Sequence, residues 1–241
     1  MEKRYLQLYS IREALEKDFE GSLKRIAEIG YTGVEFAGIY GNKKGGELKK
    51  FLGDLGLETQ SAHIQSDEAE KLADFCSELG LKYVIDPWAV LKTKDHALKH
   101  AERLNKLGET FSKYGIKFGY HNHAHEFTAC EGGTLMDVLI ENSDSKLVTF
   151  QLDCGWVANA GVDPADFIKK HSGRITLIHV KEWSKEHEWN VATGKGSIDW
   201  KAVKTAALAS GAEIFVVERE HDYAGDIFTC VKEDCDFLTN L

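Results

Sequence analysis

An α/β barrel of eight strand–helix units is the fold this sequence predicts, and three observations carry it. Short apolar runs alternate with segments of helical periodicity along all 241 residues. Six joins share one form: a helix, then Gly, then one or two residues, then a strand. Four of the apolar runs end on a side chain that can bind a metal: 148–152 on Asp153, 175–178 on His179, 214–217 on Glu218 and 116–120 on His121. Runs of that length and composition read as buried parallel strands. Polar residues at their C-terminal ends are where β/α proteins place chemistry. Four such ends converge only if the strands lie side by side, so an enzyme is the first reading.

The elements follow in order. A first strand is expected over 5–9, ending on Tyr9. Leu23, Ile26 and Ala27 form a helical stripe that stops at Gly30, and the strand 34–36 follows. Gly56 precedes the strand 58–62, which runs to His63. Leu72, Phe75, Cys76 and Leu79 make the next stripe, then Gly80 and the strand 83–85, ending on Asp86. Leu98, Ala101, Leu104, Leu107 and Phe111 make a long one before Gly115 and the strand 116–118. Gly173 and Gly211 introduce the strands at 175 and 214. A glycine just past a helix takes the left-handed conformation that caps the last turn. With the strand at 148–152 the count is eight, spaced by about 30 residues, the size of a βα unit. Eight units in a chain near 250 residues is the arithmetic of a TIM barrel. An open doubly wound sheet rarely needs eight helices so regularly spaced. No linker interrupts the pattern: Pro87 and Pro164 are the only prolines and no low-complexity stretch occurs, so residues 1–241 read as a single barrel domain.

Composition narrows the function. The chain is 43% hydrophobic and carries 39 acidic against 30 basic residues, a net charge of −9. Such a chain is repelled by phosphate backbones, so nucleic acid is not the expected partner. No apolar stretch has the length of a membrane span. Residues 1–5 lack the apolar region of a secretory signal. Cys76, Cys130, Cys154, Cys230 and Cys235 are odd in number and form no close CxxC pair. They read as reduced thiols of a cytoplasmic protein, with Cys154 a small buried residue at a strand end rather than a nucleophile. Homo-oligomerisation is left open.

In a barrel the strand ends share one mouth. They bring there Tyr9, Glu35, His63, Asp86, His121 with His123 and Glu126, Asp153, His179 with Lys181, and Glu218 with Glu220. A mixture of imidazoles and carboxylates suits Mn, Co, Fe, Zn or Mg, and the lack of thiolates argues against a structural zinc. One histidine at a strand end is more often structural. Asp153, His179 and Glu218 on consecutive strands reverse those odds. Gly194-Lys195-Gly196 lacks the full phosphate-loop pattern and reads as the approach to a helix capped by Asp199.

These residues resemble a known family. Leu-Asp-Cys-Gly-Trp (152–156), Gly-Arg-Ile-Thr-Leu-Ile-His-Val-Lys-Glu (173–182), Gly-Lys-Gly-Ser-Ile-Asp-Trp (194–200) and Val-Val-Glu (216–218) are similar to motifs of the sugar phosphate isomerase/epimerase family. That family lies in the xylose isomerase-like TIM barrel superfamily, with inosose dehydratases, tagatose epimerases and endonuclease IV. The segments 6–12, 30–35 and 61–63 fit as well, so the resemblance covers nearly the whole chain. It implies one divalent metal, manganese among the candidates, held by four ligands from strands five to eight. Asp153, His179 and Glu218 carry over directly. The fourth is contested in the run His121-Asn122-His123-Ala124-His125-Glu126-Phe127. Strand register favours His121. Hard-metal chemistry favours the carboxylate of Glu126, if the loop folds back. The expected set is therefore Glu126, Asp153, His179 and Glu218, with His121 as the alternative to Glu126. Trp156 stands where several relatives carry a histidine, which argues against further metals and against an endonuclease IV-like hydrolase.

The reaction expected is isomerisation or epimerisation of a sugar or keto-sugar through an enediolate. Glu218 or Glu126 would take the α-proton and Lys181 would stabilise the oxyanion. His123 would act as a proton shuttle. His63, His121, Trp156 and Glu35 would bind substrate. The same enolate serves a dehydratase or lyase acting on oxidised sugars or inosose, which is the alternative. A non-catalytic carbohydrate binder is disfavoured by the intact ligand set.

Overall fold

Eight parallel strands close into a barrel in sequence order. They are β1 Tyr5–Gln7, β2 Gly33–Ala37, β3 Glu58–His63, β4 Tyr83–Asp86, β5 Lys117–His121, β6 Val148–Asp153, β7 Ile175–Val180 and β8 Ile214–Val217. Tyr5 pairs with Val216 to shut the ring. The computed structural model describes residues 3–189, 191–220 and 225–241. Met1 and Glu2 of the N-terminal segment lie outside it.

Helices cover the outside. They are α1 Arg12–Lys17, α2 Phe19–Ile29, α3 Gly45–Asp54, α4 Ala73–Leu79, α5 Lys94–Ser112, α6 Leu135–Glu141, α7 Cys154–Asn159, α8 Pro164–Lys170, α9 Trp200–Ala209 and α10 Ile227–Asn240. No described helix is long and apolar enough to cross a membrane. Leu23, Ile26, Cys76, Leu79, Ala101, Leu104, Leu107 and Phe111 are buried, as their periodicity requires. All six join glycines have positive φ, from 71° at Gly115 to 111° at Gly30. At Gly30 and Gly80 the left-handed residue is the helix cap itself. Pro164 opens α8, where its missing N–H costs nothing.

The first strand is shorter than the expected 5–9. It stops at Gln7, and Leu8–Ile11 is a turn of 3-10 helix. The Gln7 side chain takes the Tyr9 N–H at 3.2 Å and so ends the strand.

Two layers of core result. The larger joins the outward strand faces to the helices. The smaller, Tyr5, Tyr83, Ile85, Leu177, Ile214 and Val216, fills the barrel itself. Gly119 faces inward on β5, where a Cβ would lie 2.7 Å from Ile85 Cδ1 and 2.9 Å from the Thr149 carbonyl. Register is regular except at two places, between Val34 and Phe36 on β2 and between Phe150 and Gln151 on β6. Irregularities of this kind re-aim side chains beside functional sites. Here they fall at Glu35 and Gln151.

Candidate metal centre

His121, Asp153, His179 and Glu218 each offer one donor atom, and the four atoms lie within 4.8 Å of one another. The strands account for this. Asp153 is in register with His179, and His179 with Val216, two residues before Glu218. His121 ends β5 in register with Gln151, which shares the inward face of β6 with Asp153. All four side chains are buried.

Behind the donors lies a second ring of polar side chains. Glu35 is fully buried, and its Oε1 accepts from Gln7 Nε2 at 2.6 Å and faces His179 Nε2 at 2.7 Å. Its Oε2 accepts from Gln151 Nε2 at 2.7 Å and from the Ser61 hydroxyl. Gln151 Oε1 in turn faces His121 Nδ1 at 3.1 Å and His63 Nε2 at 2.6 Å. An amide oxygen and a carboxylate only accept, so each ring nitrogen facing them carries the proton. This leaves His121 Nε2 as the lone-pair side of its neutral ring, while His179 Nδ1, which also faces the Glu218 carboxylate, becomes a lone-pair side once a cation displaces its proton. Those are the nitrogens that face Asp153 Oδ2, at 3.8 Å and 4.0 Å. Glu218 Oε2 lies 2.9 Å from His179 Nδ1. Metal-binding histidines are oriented in this way by partners on their far nitrogen.

The charges point the same way. Asp153 Oδ1 caps α7 by accepting the Trp156 N–H at 2.9 Å, while Oδ2 is buried with no hydrogen bond. Burial, with Glu218 adding to it against Lys181 and His179, pushes the Asp153 carboxyl up to about 7. Burial alone would depress the His179 imidazolium, but Glu35 and Glu218 outweigh it and raise the ring to about 10. Glu35 is held at about 2, because His63, His179 and Ser61 overcome its burial. A divalent cation among the four donors would give the orphaned oxygen a partner and supply the positive charge. The residues present fit such an ion.

A model of the xylose isomerase-like TIM barrel family matches residues 23–241. The chain belongs to this family. Among curated relatives, inosose dehydratase of Clostridium botulinum (strain Alaska E43 / Type E3) is 26% identical, covering 91% of this chain and 84% of that protein. Inosose dehydratase of Geobacillus thermodenitrificans (strain NG80-2) is 28% identical, covering 87% and 84%. Among solved structures, a sugar phosphate isomerase/epimerase from Parabacteroides distasonis ATCC 8503 superposes with a TM-score of 0.87 at 27% identity, covering 98% of this chain and 93% of that one.

Within this xylose isomerase-like barrel, the mouth opens into a cavity of ≈ 510 Å³. His63, His121, His123, Glu218 and Glu220 line it. His123 Nδ1 is buried without a hydrogen-bond partner. Burial, with Lys181 adding to it, lowers the His123 imidazolium to about 4.

Glu126, expected among the ligands, is not brought to the donor group. Its Oε1 accepts from the Tyr120 hydroxyl at 2.6 Å and its Oε2 from the His123 N–H at 2.9 Å. Tyr120 precedes His121 and points to the opposite, outer face of β5. Glu126 is thus drawn outward to hold the loop, and His121 takes the inner position. Glu35 is also placed differently from its expected substrate contact, since it lies behind His179 and does not line the cavity. Trp156 is likewise off the lining and packs against Trp189 with ring centroids 4.3 Å apart. Lys181 sits beneath both rings, its Nζ 5.3 Å and 5.8 Å from their centroids. It pairs with Glu220 at 3.0 Å and lies 3.8 Å from Glu218. These carboxylates outweigh its burial and keep it charged.

Sequence reading missed Gln151, Gln7 and Glu182. The first two had a signal, an amide inside an otherwise apolar strand. Glu182 accepts from Trp183 N at 3.1 Å, Gly194 N at 2.9 Å and Trp200 Nε1 at 2.6 Å. It ties the loop after β7 to α9 and gives Gly194, Gly196 and Trp200 of the segment 194–200 a common neighbour.

Proposed function

We propose that this protein is a divalent-metal-dependent lyase that eliminates water, or another β-oxygen group, from a keto-sugar or inosose. The observation that carries the metal is the buried, unpartnered Asp153 Oδ2 amid two imidazoles and Glu218. The ligand set is His121, Asp153, His179 and Glu218. Two nitrogens and two carboxylates suit Zn, Co, Fe or Mn better than Mg. The preference for elimination over isomerisation or epimerisation rests on the curated relatives named inosose dehydratase. Sequence motifs alone ranked these outcomes the other way, because one enolate leads to all of them.

When bound, the cation supplies Lewis-acid polarisation of a carbonyl oxygen. The chain's own residues do the rest. His123, which lines the cavity with an unpartnered Nδ1, takes the proton α to the carbonyl. The C–H electron pair becomes the new C=C bond as the β-carbon–oxygen bond breaks. The departing hydroxide leaves as water with a proton from Glu220, whose carboxyl is raised above the usual range by burial and by Glu218. Lys181 works from behind the wall: its charge steadies Glu218 and Glu220 without touching substrate. Glu218 is engaged in the donor group and is relieved of the base role.

Incubating metal-loaded protein with inosose and related keto-sugars in deuterium oxide tests this. The expected result is deuterium at the α-carbon of recovered substrate and a product lighter by one water. Epimerised product with retained water would restore the epimerase reading. Absence of exchange on every keto-sugar tried would overturn proton abstraction altogether.

A further inference from the structure

The donor group uses only half of the barrel. His121, Asp153, His179 and Glu218 come from β5 to β8, as do His123 and Glu220 of the cavity wall, whereas the remaining lining comes from the ends of β2 and β3 and from the segments following β1 to β4. That second wall is mainly aromatic and apolar, with Tyr9, Tyr40, Ile64, Leu72, Pro87 and Trp88, and has His63, Gln65 and Glu68 as its polar side chains. Tyr9 is 41% exposed and Trp88 46%, two of the few large exposed apolar side chains among the described residues. Single exposed aromatics need no explanation, but two facing one cavity do. Trp88 is also held in place. Its ring packs on His125 at 5.9 Å, and His125 Nε2 donates to the Ala89 carbonyl at 2.9 Å, tying the loop after β4 to the loop after β5.

Size and charge add to this. A cavity of ≈ 510 Å³ is of the size that holds a drug-sized ligand, within the usual range of about 300–1,000 Å³. One sugar ring, with its atoms covalently joined, fills only part of that. The lining holds Glu68, Glu218 and Glu220 and no lysine or arginine. The seven residues outside the described set contain neither. Away from the donor group, a phosphate would meet Glu68 there with no lysine or arginine in the lining to pair it.

We propose that the β1–β4 wall is an aglycone subsite, and that the substrate is an uncharged keto-glycoside whose oxidised sugar ring lies at the donor group and whose apolar, aromatic aglycone stacks on Trp88. This deepens the proposed function and rests on it for the position of the sugar ring. Aromatic faces suit such a group, and a preformed wall binds it with little ordering cost.

Equilibrium binding of phenyl and methyl β-glucosides to the metal-loaded protein tests the subsite without requiring turnover. Phenyl should bind at least tenfold tighter than methyl, and Trp88→Ala should cut that ratio to threefold or less. Glucose 6-phosphate should bind no tighter than glucose. Equal affinity for the two glucosides, no measurable binding of either, a ratio unmoved by Trp88→Ala, or preference for the phosphate would each overturn the subsite. An aryl preference without α-deuteration of any keto-sugar would sink the lyase reading and leave the subsite standing. Exchange on keto-sugars without an aryl preference would do the reverse.

Discussion

Asp153 serves two neighbours with one carboxylate: Oδ1 holds the first turn of α7 and Oδ2 turns to the donor group. Division of labour of this kind recurs residue by residue. Glu126 and His121 make the test case. Glu126→Gln keeps one acceptor oxygen for the His123 N–H and offers its NH2 to the Tyr120 hydroxyl oxygen in place of the other, so it should leave metal affinity within a few-fold of the parent. His121→Gln removes a donor from the group and should lower affinity by far more; titration with zinc or manganese against a competing chelator reads both. A strong effect of Glu126→Gln with a weak one of His121→Gln would return the ligand role to the carboxylate. Glu35→Gln probes the ring behind the donors. It keeps the shape but loses the charge facing His179, and outer partners of this sort are worth roughly 10–100-fold in metal affinity. An unchanged affinity would reduce Glu35 to packing. Much of this was legible in the sequence, because strand ends name their own residues. What was not legible is which face each side chain takes in the loop 122–127, since no periodicity governs a loop. A choice between two plausible ligands five residues apart needed the Tyr120–Glu126 bond to settle where the carboxylate goes.

At the scale of elements, joins were more readable than loops. The six glycines work because a left-handed residue is demanded at the end of a helix that turns straight into a strand. The connection from β7 to α9 carries no such rule, and a single carboxylate organises it. Glu182 gathers Trp183, Gly194 and Trp200, and Gly196 passes so close that a Cβ would lie 2.4 Å from Glu182 Oε1 and 2.5 Å from the Trp183 carbonyl. Gly196→Ala should therefore cost about 1–3 kcal/mol, the usual range for overpacking, and loosen the loop that carries Trp189. Thermal melts and amide exchange at Gly194 would show it; unchanged protection there would mean the loop has another anchor. A second joint links α6 to α8. Asp137 accepts from Thr134 N and Oγ1, each at 2.9 Å, and from Lys170 Nζ at 2.7 Å, and it faces His171 Nε2 at 2.8 Å. Burial would raise its carboxyl, but these partners outweigh it and hold it at about 2. A depressed carboxylate contributes stability that is complete above its unfolded value near pH 4 and is lost as pH falls through its folded value near 2. Asp137→Asn should thus cost about 2 kcal/mol at neutral pH and flatten the fall in stability between pH 4 and 2. A variant whose acid limb matches the parent's would show that this joint does not couple to pH.

For the molecule as a whole, the fold and the ion place different demands on the same strands. Core burial at roughly 1.5–3 kcal/mol per large apolar side chain closes the barrel, and Tyr5, Leu177 and Val216 in its interior owe nothing to a metal. The mouth does the opposite: Glu35 and Glu218 find partners in His179 and Lys181, but Asp153 is buried with one carboxylate oxygen unpartnered, which is unfavourable for folding until a cation meets it. The barrel should therefore survive chelation with its far-ultraviolet circular dichroism intact but with a lower melting temperature. A ligand present at 100 times its dissociation constant adds about 2.7 kcal/mol by mass action. Asp153→Asn separates the two demands. Without metal, the amide leaves no charge unpartnered there, so the variant should melt at or above the stripped parent. With metal it should gain little, because the donor set has lost a charged oxygen, and the order of the two proteins should invert. Melting both proteins with and without zinc or manganese reads the crossing. Parallel shifts in parent and variant would show that Asp153 is not part of the binding set, while a stripped parent more stable than the stripped variant would show that the carboxylate, as the cap of α7, supports the fold more than it strains it.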